Sequence, residues 1–233
     1  MKTYTHILFD LDHTLWDFEK NSEETLYTLY EQFGLASYNK FDCDSFYRKY
    51  KFVNNLLWDL YNKGKIDQQE LRESRFVKTL TGLGLEPHEV PAGISEAYTD
   101  ICPTKTAVFP HTYDLLTYLQ PKYGLHIITN GFKDIQYIKM SASNLHGYFG
   151  EVVTSECCGH KKPDKRIFEH ALERINVNPA ECLMIGDNLE CDVEGARAAG
   201  IDQVFFNPEK TKTKLRPKPT YEINCLSELY EIL

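Results

Sequence analysis

His6-Ile7-Leu8-Phe9-Asp10-Leu11-Asp12-His13-Thr14 begins with a short run of strand formers and ends among carboxylates. Four residues are too few for a helix, and their apolar character predicts a strand buried on both faces. Asp10 marks where the chain leaves the interior. The same figure returns twice, at Leu125-His126-Ile127-Ile128-Thr129 before Asn130-Gly131, and at Cys182-Leu183-Met184-Ile185 before Gly186-Asp187. Shorter runs at 151–154 and 203–206 also read as strands. Helical spacing falls between them at 113–119, 135–145, 165–175 and 193–199, with a last helix from Ser227. Strands and helices alternating at this length predict an α/β fold, a doubly wound parallel sheet with helices on both faces.

One segment breaks the alternation. From about 18 to 98, Leu26, Leu29, Tyr30 and Phe33 recur at helical spacing, as do Phe46, Tyr50, Val53, Leu57, Leu60 and Tyr61, then Leu71, Phe76, Leu80 and Leu83. Gly34, Gly64, Gly82 and Gly84 punctuate these runs as helix ends. The expected organisation is a core of 1–15 and 101–233, with a helical domain of 16–100 inserted after the first strand. Residues 210–219, with five basic side chains and two prolines, read as a solvated loop.

The whole composition fits a folded chain of one domain plus an insertion: 233 residues, 42% hydrophobic, with 15 Tyr and 13 Phe. The net charge of −8 argues against polymeric nucleic acid, whose partners carry a basic face. No apolar run approaches the ~20 residues of a membrane span, and Asp10 interrupts any signal-peptide core. Seven cysteines, an odd number without a C-x-x-C pair, suggest reduced thiols and a cytoplasmic setting. The adjacent Cys157 and Cys158 read as buried, inert thiols.

Parallel strands present all their carboxyl ends along one edge, so the three polar clusters converge there. Alone, D-x-D-x-T also describes an Asx-turn closing a strand. Beside a second acidic cluster it describes more, because Asp10, Asp12, Asp187 and Asp192 crowded together repel unless a cation joins them. Oxygen donors with room for water and a phosphate suit Mg²⁺; no His or Cys spacing suits zinc. A divalent cation beside carboxylates points to phosphoryl chemistry, with one carboxylate as nucleophile and a second as acid and base. Asp10 and Asp12 supply such a pair. Thr129, Asn130 and Gly131 supply donors for phosphoryl oxygens, and a lysine comes from His160-Lys161-Lys162-Pro163-Asp164.

D-L-D-H-T, T-N-G, K-P-D-x-x-I-F and G-D-N-L-E-C-D stand in the order and spacing of the haloacid dehalogenase-like (HAD) hydrolase superfamily, which the chain resembles from 10 to 192. The resemblance implies a Rossmann-like core carrying an inserted four-helix cap of the first type. It makes Asp10 the nucleophile and a Mg²⁺ ligand, and Asp12 the general acid/base, binding Mg²⁺ through its main-chain carbonyl. Thr129 and Asn130 would bind phosphate. Lys162, or else its neighbour Lys161, would pair with the nucleophile and the phosphoryl group. Asp187 would bind the metal and Asp192 would orient its waters. The superfamily's dehalogenases lack an aspartate at the place of Asp12 and its phosphatases have one, so the resemblance favours a phosphatase. His13 reads as a turn residue or a substrate contact.

The leaving group depends on the cap. N-x-x-L-W-x-x-Y-x-x-G from Asn54 and L-x-x-x-R-F from Leu71 are similar to the cap of the subgroup hydrolysing nucleoside 5′-monophosphates, including pyrimidine nucleotides. Phe18 and Thr129-Asn130-Gly131-Phe132 also fit it. This implies that Phe18, Trp58 and Arg75 meet the base. Tyr50, Leu57 and Trp58 equally have the spacing of a core stripe, and Arg75 that of a solvated residue or a cap-to-core ion pair. The expectation is a Mg²⁺-dependent nucleotidase acting on a small phosphate monoester. The alternatives are a sugar-phosphate or phosphoglycolate phosphatase, a phosphomutase, or a non-catalytic phosphate-binding relative. Oligomeric state is not legible.

Overall fold

The computed structural model describes residues 3–212 and 218–233. The expected loop at 210–219 lies partly outside the described residues, at 213–217. The chain divides into two units, Met1–Phe18 with Thr106–Leu233, and Glu19–Lys105.

The first unit is built on a six-stranded parallel sheet. Its strands are β1 (His6–Phe9), β2 (Gly124–Thr129), β3 (Glu151–Thr154), β4 (Cys182–Gly186), β5 (Asp202–Phe206) and β6 (Tyr221–Ile223), in the order β3-β2-β1-β4-β5-β6. The apolar runs become strands because both faces are covered: every residue of β4 and all but the first of β2 are buried. Phe168, Ile167, Ala171 and Leu172 pack with Leu8, Ile128, Val153 and Met184 in one core cluster. The chain moves outward in one direction from β1 and in the other from β4, so the topological switch point lies between those two strands. In register, Phe9 stands opposite both Ile127 and Ile185. The polar residues following β1, β2 and β4 therefore leave the sheet along one edge.

Helices α5 (Thr112–Leu119), α6 (Lys133–Ala142), α7 (Ser155–Cys158), α8 (Lys165–Ile175) and α9 (Gly195–Ala198) connect the strands, with numbering continued from the second unit. Three expectations change. The helix placed at 193–199 begins earlier, as a π-helical turn Leu189–Glu194 running into α9. The terminal helix is a 3₁₀ turn, Leu226–Glu231. Strand β6 has no counterpart in the sequence reading; its three residues are too few for a period to show.

The second unit contains α1 (Phe18–Gln32), whose first residue belongs to the α/β unit, then α2 (Cys43–Asn62), α3 (Gln68–Thr81) and α4 (Ile94–Ile101). Asp42 and Asp67 cap α2 and α3 by accepting from Ser45 N and Glu70 N at 2.7 and 2.8 Å. Phe46, Tyr50, Val53, Leu57 and Tyr61 form the buried stripe of α2. Tyr50 packs against Phe76 and Tyr98 with ring centroids 5.2 and 5.1 Å apart.

The division falls after Phe18 and after Lys105, against the expected 15 and 100. Backbone pairing explains the shift: Asp17 N donates to Ala107 O at 3.1 Å, and Phe109 N donates to Leu15 O at 2.9 Å. Departing and returning chain thus hold each other at the α/β unit.

Candidate active site

The loop after β1 is tight. Leu11 O accepts from the amides of Leu15 and Trp16 at 3.0 and 2.9 Å, and His13 takes the left-handed region at φ 62°. His13 is thus a turn residue, its ring 4.8 Å from that of Phe18. The turn leaves Asp10 at the strand end, where its amide still bonds Ile185 O of β4 at 2.9 Å.

At the switch point stand Asp10, Asp187 and Asp192, each offering a carboxylate oxygen within 4.8 Å of the others. The Lys162 ammonium lies among them. It donates to Asp10 Oδ1 at 2.7 Å, to Asp192 Oδ1 at 2.6 Å and to Ile128 O at 2.8 Å, and the residue is 2% exposed. Lys162 therefore holds the place for which the sequence left two lysines open; Lys161 is half-buried beside it. The Asp192 carboxylate also accepts from Asn188 N at 2.9 Å through Oδ2. Its position requires Gly186, since a Cβ there would collide with the Asp192 carboxylate. Asp187 Oδ1 accepts from the Thr14 hydroxyl at 3.3 Å.

Three carboxylates face one ammonium, and burial together with neighbouring negative charge raises two of them, Asp10 and Asp187. Burial pushes the Asp10 carboxyl up to about 7, with Lys162 opposing and Asp192 adding to the rise. Asp187 is driven well above the usual carboxylate range by burial and then by Asp192 and Asp10. Lys162 is raised as well: burial opposes its charge, but Asp10 and Asp192 outweigh that. A buried all-oxygen cluster with uncompensated negative charge fits a hard divalent cation such as Mg²⁺.

The sequence-derived phosphate donors fall beside this cluster with different duties. Thr129 Oγ1 accepts from Gly131 N at 3.0 Å. The Asn130 side chain is engaged with Lys162: its Nδ2 donates to Lys162 O at 2.9 Å and its Oδ1 accepts from Lys162 N at 2.8 Å. That pair of bonds ties the loop after β2 to the lysine loop.

Asp12 has an environment of its own. Lys139 Nζ donates to Oδ1 at 2.6 Å, and Gln136 Nε2 to Oδ2 at 2.8 Å and to Thr129 Oγ1 at 3.3 Å. Burial works to raise this carboxyl, but the Lys139 charge and the bonds from Lys139 and Gln136 prevail and hold it below the usual range. Gln136, Lys139, Asn188 and Thr14 are absent from the sequence-derived set. For Lys139 a signal existed: a lysine three positions after Gln136 and next to Met140, on the inward face of a helix that follows T-N-G. Asn188 initiates the π-helical turn, its Oδ1 accepting from Glu190 N and Cys191 N at 3.1 and 2.9 Å.

The three expected specificity residues do not share a unit. Phe18 is half-buried in the α/β unit; Trp58 and Arg75 are in the helical one. Trp58 stands outside the buried stripe of α2, half-exposed and edge-on to Tyr61 at 5.5 Å. Arg75 is not a solvated residue. It is 6% exposed, with its guanidinium 4.5 Å from the Tyr98 ring centre and Nη1 donating to Asn54 Oδ1 at 3.4 Å. All seven cysteines are free, and Cys157 is exposed and Cys158 half-buried, correcting the expected buried pair. Both lie on the four-residue α7, of which only Ser155 is buried. No described helix is long and apolar enough to cross a membrane.

The HAD-hydrolase YfnB of Bacillus subtilis (strain 168) is 33% identical over 100% of this chain and 97% of its own length. Its magnesium-bound orthorhombic crystal structure superposes with a TM-score of 0.86, at 32% identity, over 100% of this chain and 99% of that one. The pyrimidine 5′-nucleotidase PynA of Streptococcus pneumoniae (strain ATCC BAA-255 / R6) is 31% identical over 99% of this chain and 95% of its own. The pyrimidine 5′-nucleotidase YjjG of Escherichia coli (strain K12) is 31% identical over 97% of this chain and 96% of its own. The profile of haloacid dehalogenase-like hydrolases matches residues 4–200, and the chain belongs to that family.

Proposed function

We propose that the protein is a Mg²⁺-dependent phosphatase of nucleoside 5′-monophosphates, acting through an aspartyl-phosphate on Asp10. The observation that carries this reading is the buried Lys162 ammonium shared by Asp10 and Asp192 at the edge of a three-carboxylate cluster. Such a lysine keeps one carboxylate directed while balancing a dianionic ester beside it. Asp10, Asp187 and the main-chain carbonyl of Asp12 would hold the Mg²⁺, with Asp192 orienting its waters. When bound, the cation neutralises the carboxylate cluster and the charge on the phosphoryl oxygens.

In the first step a carboxylate oxygen of Asp10 attacks phosphorus and the ester oxygen departs with a proton from Asp12. In the second, Asp12 takes a proton from water, whose oxygen attacks phosphorus and releases inorganic phosphate from Asp10. Thr129 and the main chain at Asn130 receive the phosphoryl oxygens, while the Asn130 side chain fixes the lysine loop beside them. Asp12 is the residue that makes this a phosphatase site, since an alkoxide leaving group needs an acid and a halide does not.

The nucleoside preference draws on the two pyrimidine 5′-nucleotidases, each matched over nearly the whole chain. Phe18, Trp58 and Arg75 are the proposed determinants of that preference, and the helical unit is proposed to act as a cap. The test is phosphate release from a panel of nucleotides, sugar phosphates and phosphoglycolate, with Mg²⁺ and with a chelator. Pyrimidine nucleoside monophosphates should lead the panel, and chelation should abolish turnover. Preference for a sugar phosphate would remove the nucleotidase; turnover indifferent to chelation would remove the metal.

A further inference from the structure

We infer that Lys139 is a positioning residue for Asp12: with Gln136 it clamps both carboxylate oxygens so that the acid/base proton is delivered along one direction. This rests on the reading of Asp12 as the acid/base. The geometry is that of a built device. Lys139 and Gln136 are three apart on α6, hence on one face, and each gives one bond to a different oxygen of Asp12, at 2.6 and 2.8 Å. Both are nearly sealed from water, 5% and 1% exposed. Gln136 reaches its place only because residue 131 is glycine; a Cβ there would collide with its amide.

The rest of the Lys139 surroundings is aromatic. Its ammonium lies 4.4 Å from the Trp16 ring centre and 5.6 Å from that of Phe18. A cation removed from water needs a partner, and here Asp12 is the anion and the rings are the walls. Lys162 serves Asp10 and Asp192, whereas Lys139 serves Asp12, so the two carboxylates of the D-x-D pair have separate lysines. Trp16 is also bridged to Asp12 through the backbone. Lys139 thus acts on the reaction through Asp12, setting the direction of its carboxylate.

A double-mutant cycle tests this, reading the first, phosphorylating step from the burst of leaving group in rapid-quench experiments. Lys139→Met keeps the stem between Trp16 and Phe18 and removes the charge. On a nucleoside monophosphate it should slow the burst by about ten- to a hundredfold, with KM changed by less than about threefold. On p-nitrophenyl phosphate, whose phenolate leaves without a proton, the burst should slow by less than about threefold. In an Asp12→Asn background, adding Lys139→Met should change the nucleotide burst by less than about twofold, because the two residues act as one. Gln136→Met removes the other arm and should show the same substrate pattern, which keeps the inference testable if Lys139→Met does not fold.

Losses that multiply in the double variant, or that are equal on both esters, would overturn the clamp while leaving Asp12 as the acid. A nucleotide burst untouched by Asp12→Asn would overturn the acid assignment and the clamp together.

Discussion

At the scale of single residues, the site separates Asp10, paired with Lys162 inside a cluster of carboxylates, from Asp12, paired with Lys139. Asp10→Asn keeps shape and removes the nucleophile, so turnover should fall below detection while circular dichroism shows an intact fold. Turnover close to wild type would remove the mechanism. Asp12→Asn should cost far more on a nucleotide than on p-nitrophenyl phosphate in the phosphorylating step, by about a hundredfold or more if a proton is needed. Asp187 and Asp10 also predict how the metal-free protein responds to pH. Both carboxyls are raised in the folded state, Asp10 to about 7. The folded state therefore holds protons that the unfolded chain releases near pH 4, and stability is lost as pH rises from about 4 through 7. Metal-free protein should accordingly melt lower at pH 8 than at pH 5.5, and Asp187→Asn should flatten that slope. Added Mg²⁺ should raise the melting temperature more at pH 8 than at pH 5.5, since it binds the ionised cluster. A larger gain at pH 5.5 would contradict the ligand set.

At the scale of elements, the site depends on loops held to one another more than on the helices behind them. The Asn130 amide joins the end of β2 to the lysine loop before α8 by two bonds to the Lys162 backbone. Asn130→Ala leaves those backbone groups unpaired in a buried place, at a cost on the order of 2–3 kcal/mol. Lys162 would lose its fixed presentation, so kcat should fall even for variants still folded at the assay temperature. A melt together with kcat on p-nitrophenyl phosphate checks both; a stable variant with unchanged kcat would show that the loop does not need the clamp. In the helical unit, Trp58 is the better probe of substrate choice because it stands outside the buried stripe. Trp58→Ala should lower kcat/KM for a nucleoside monophosphate by about ten- to a hundredfold and spare a base-free ester, if it stacks on a base. Arg75 differs, since its guanidinium is packed between rings. Arg75→Ala should lower the melting temperature as well, and equal losses on every ester would mark it as core.

At the scale of the whole molecule, the strand order β3-β2-β1-β4-β5-β6 gathers the parts. Asp10 follows β1, Thr129 ends β2 and Asp187 follows β4, on three adjacent strands that lie more than 50 residues apart in the chain between successive clusters. A sheet whose strands run parallel and turn outward from β1 and β4 leaves its crevice at that point. The helical unit interrupts the chain directly after β1, so the sheet must be completed by residues far beyond the insertion, from β2 at Gly124 onward.

The sequence alone determined the alternation of strands and helices and the helical insertion, and it singled out the acids and the lysine pair of the candidate site. These are legible because they are local: a buried strand is an apolar run, and the turn of the candidate site is a polar cluster at its end. Only the tertiary structure chose Lys162 over Lys161, showed the Asn130 side chain engaged with a backbone, and brought Lys139 and Gln136 to Asp12. It also exposed Cys157, buried Arg75, extended the α/β unit to Phe18 and added β6. Each of these depends on groups distant in sequence meeting at a few ångströms. The spacing of Lys139 with Gln136 and Met140 marks an inward face, but its partner is set only when the ring walls and the carboxylate facing it are in place. Desolvation of Lys139 by Trp16 and Phe18, and its pairing with Asp12 some 127 positions away, exist only once the sheet has closed.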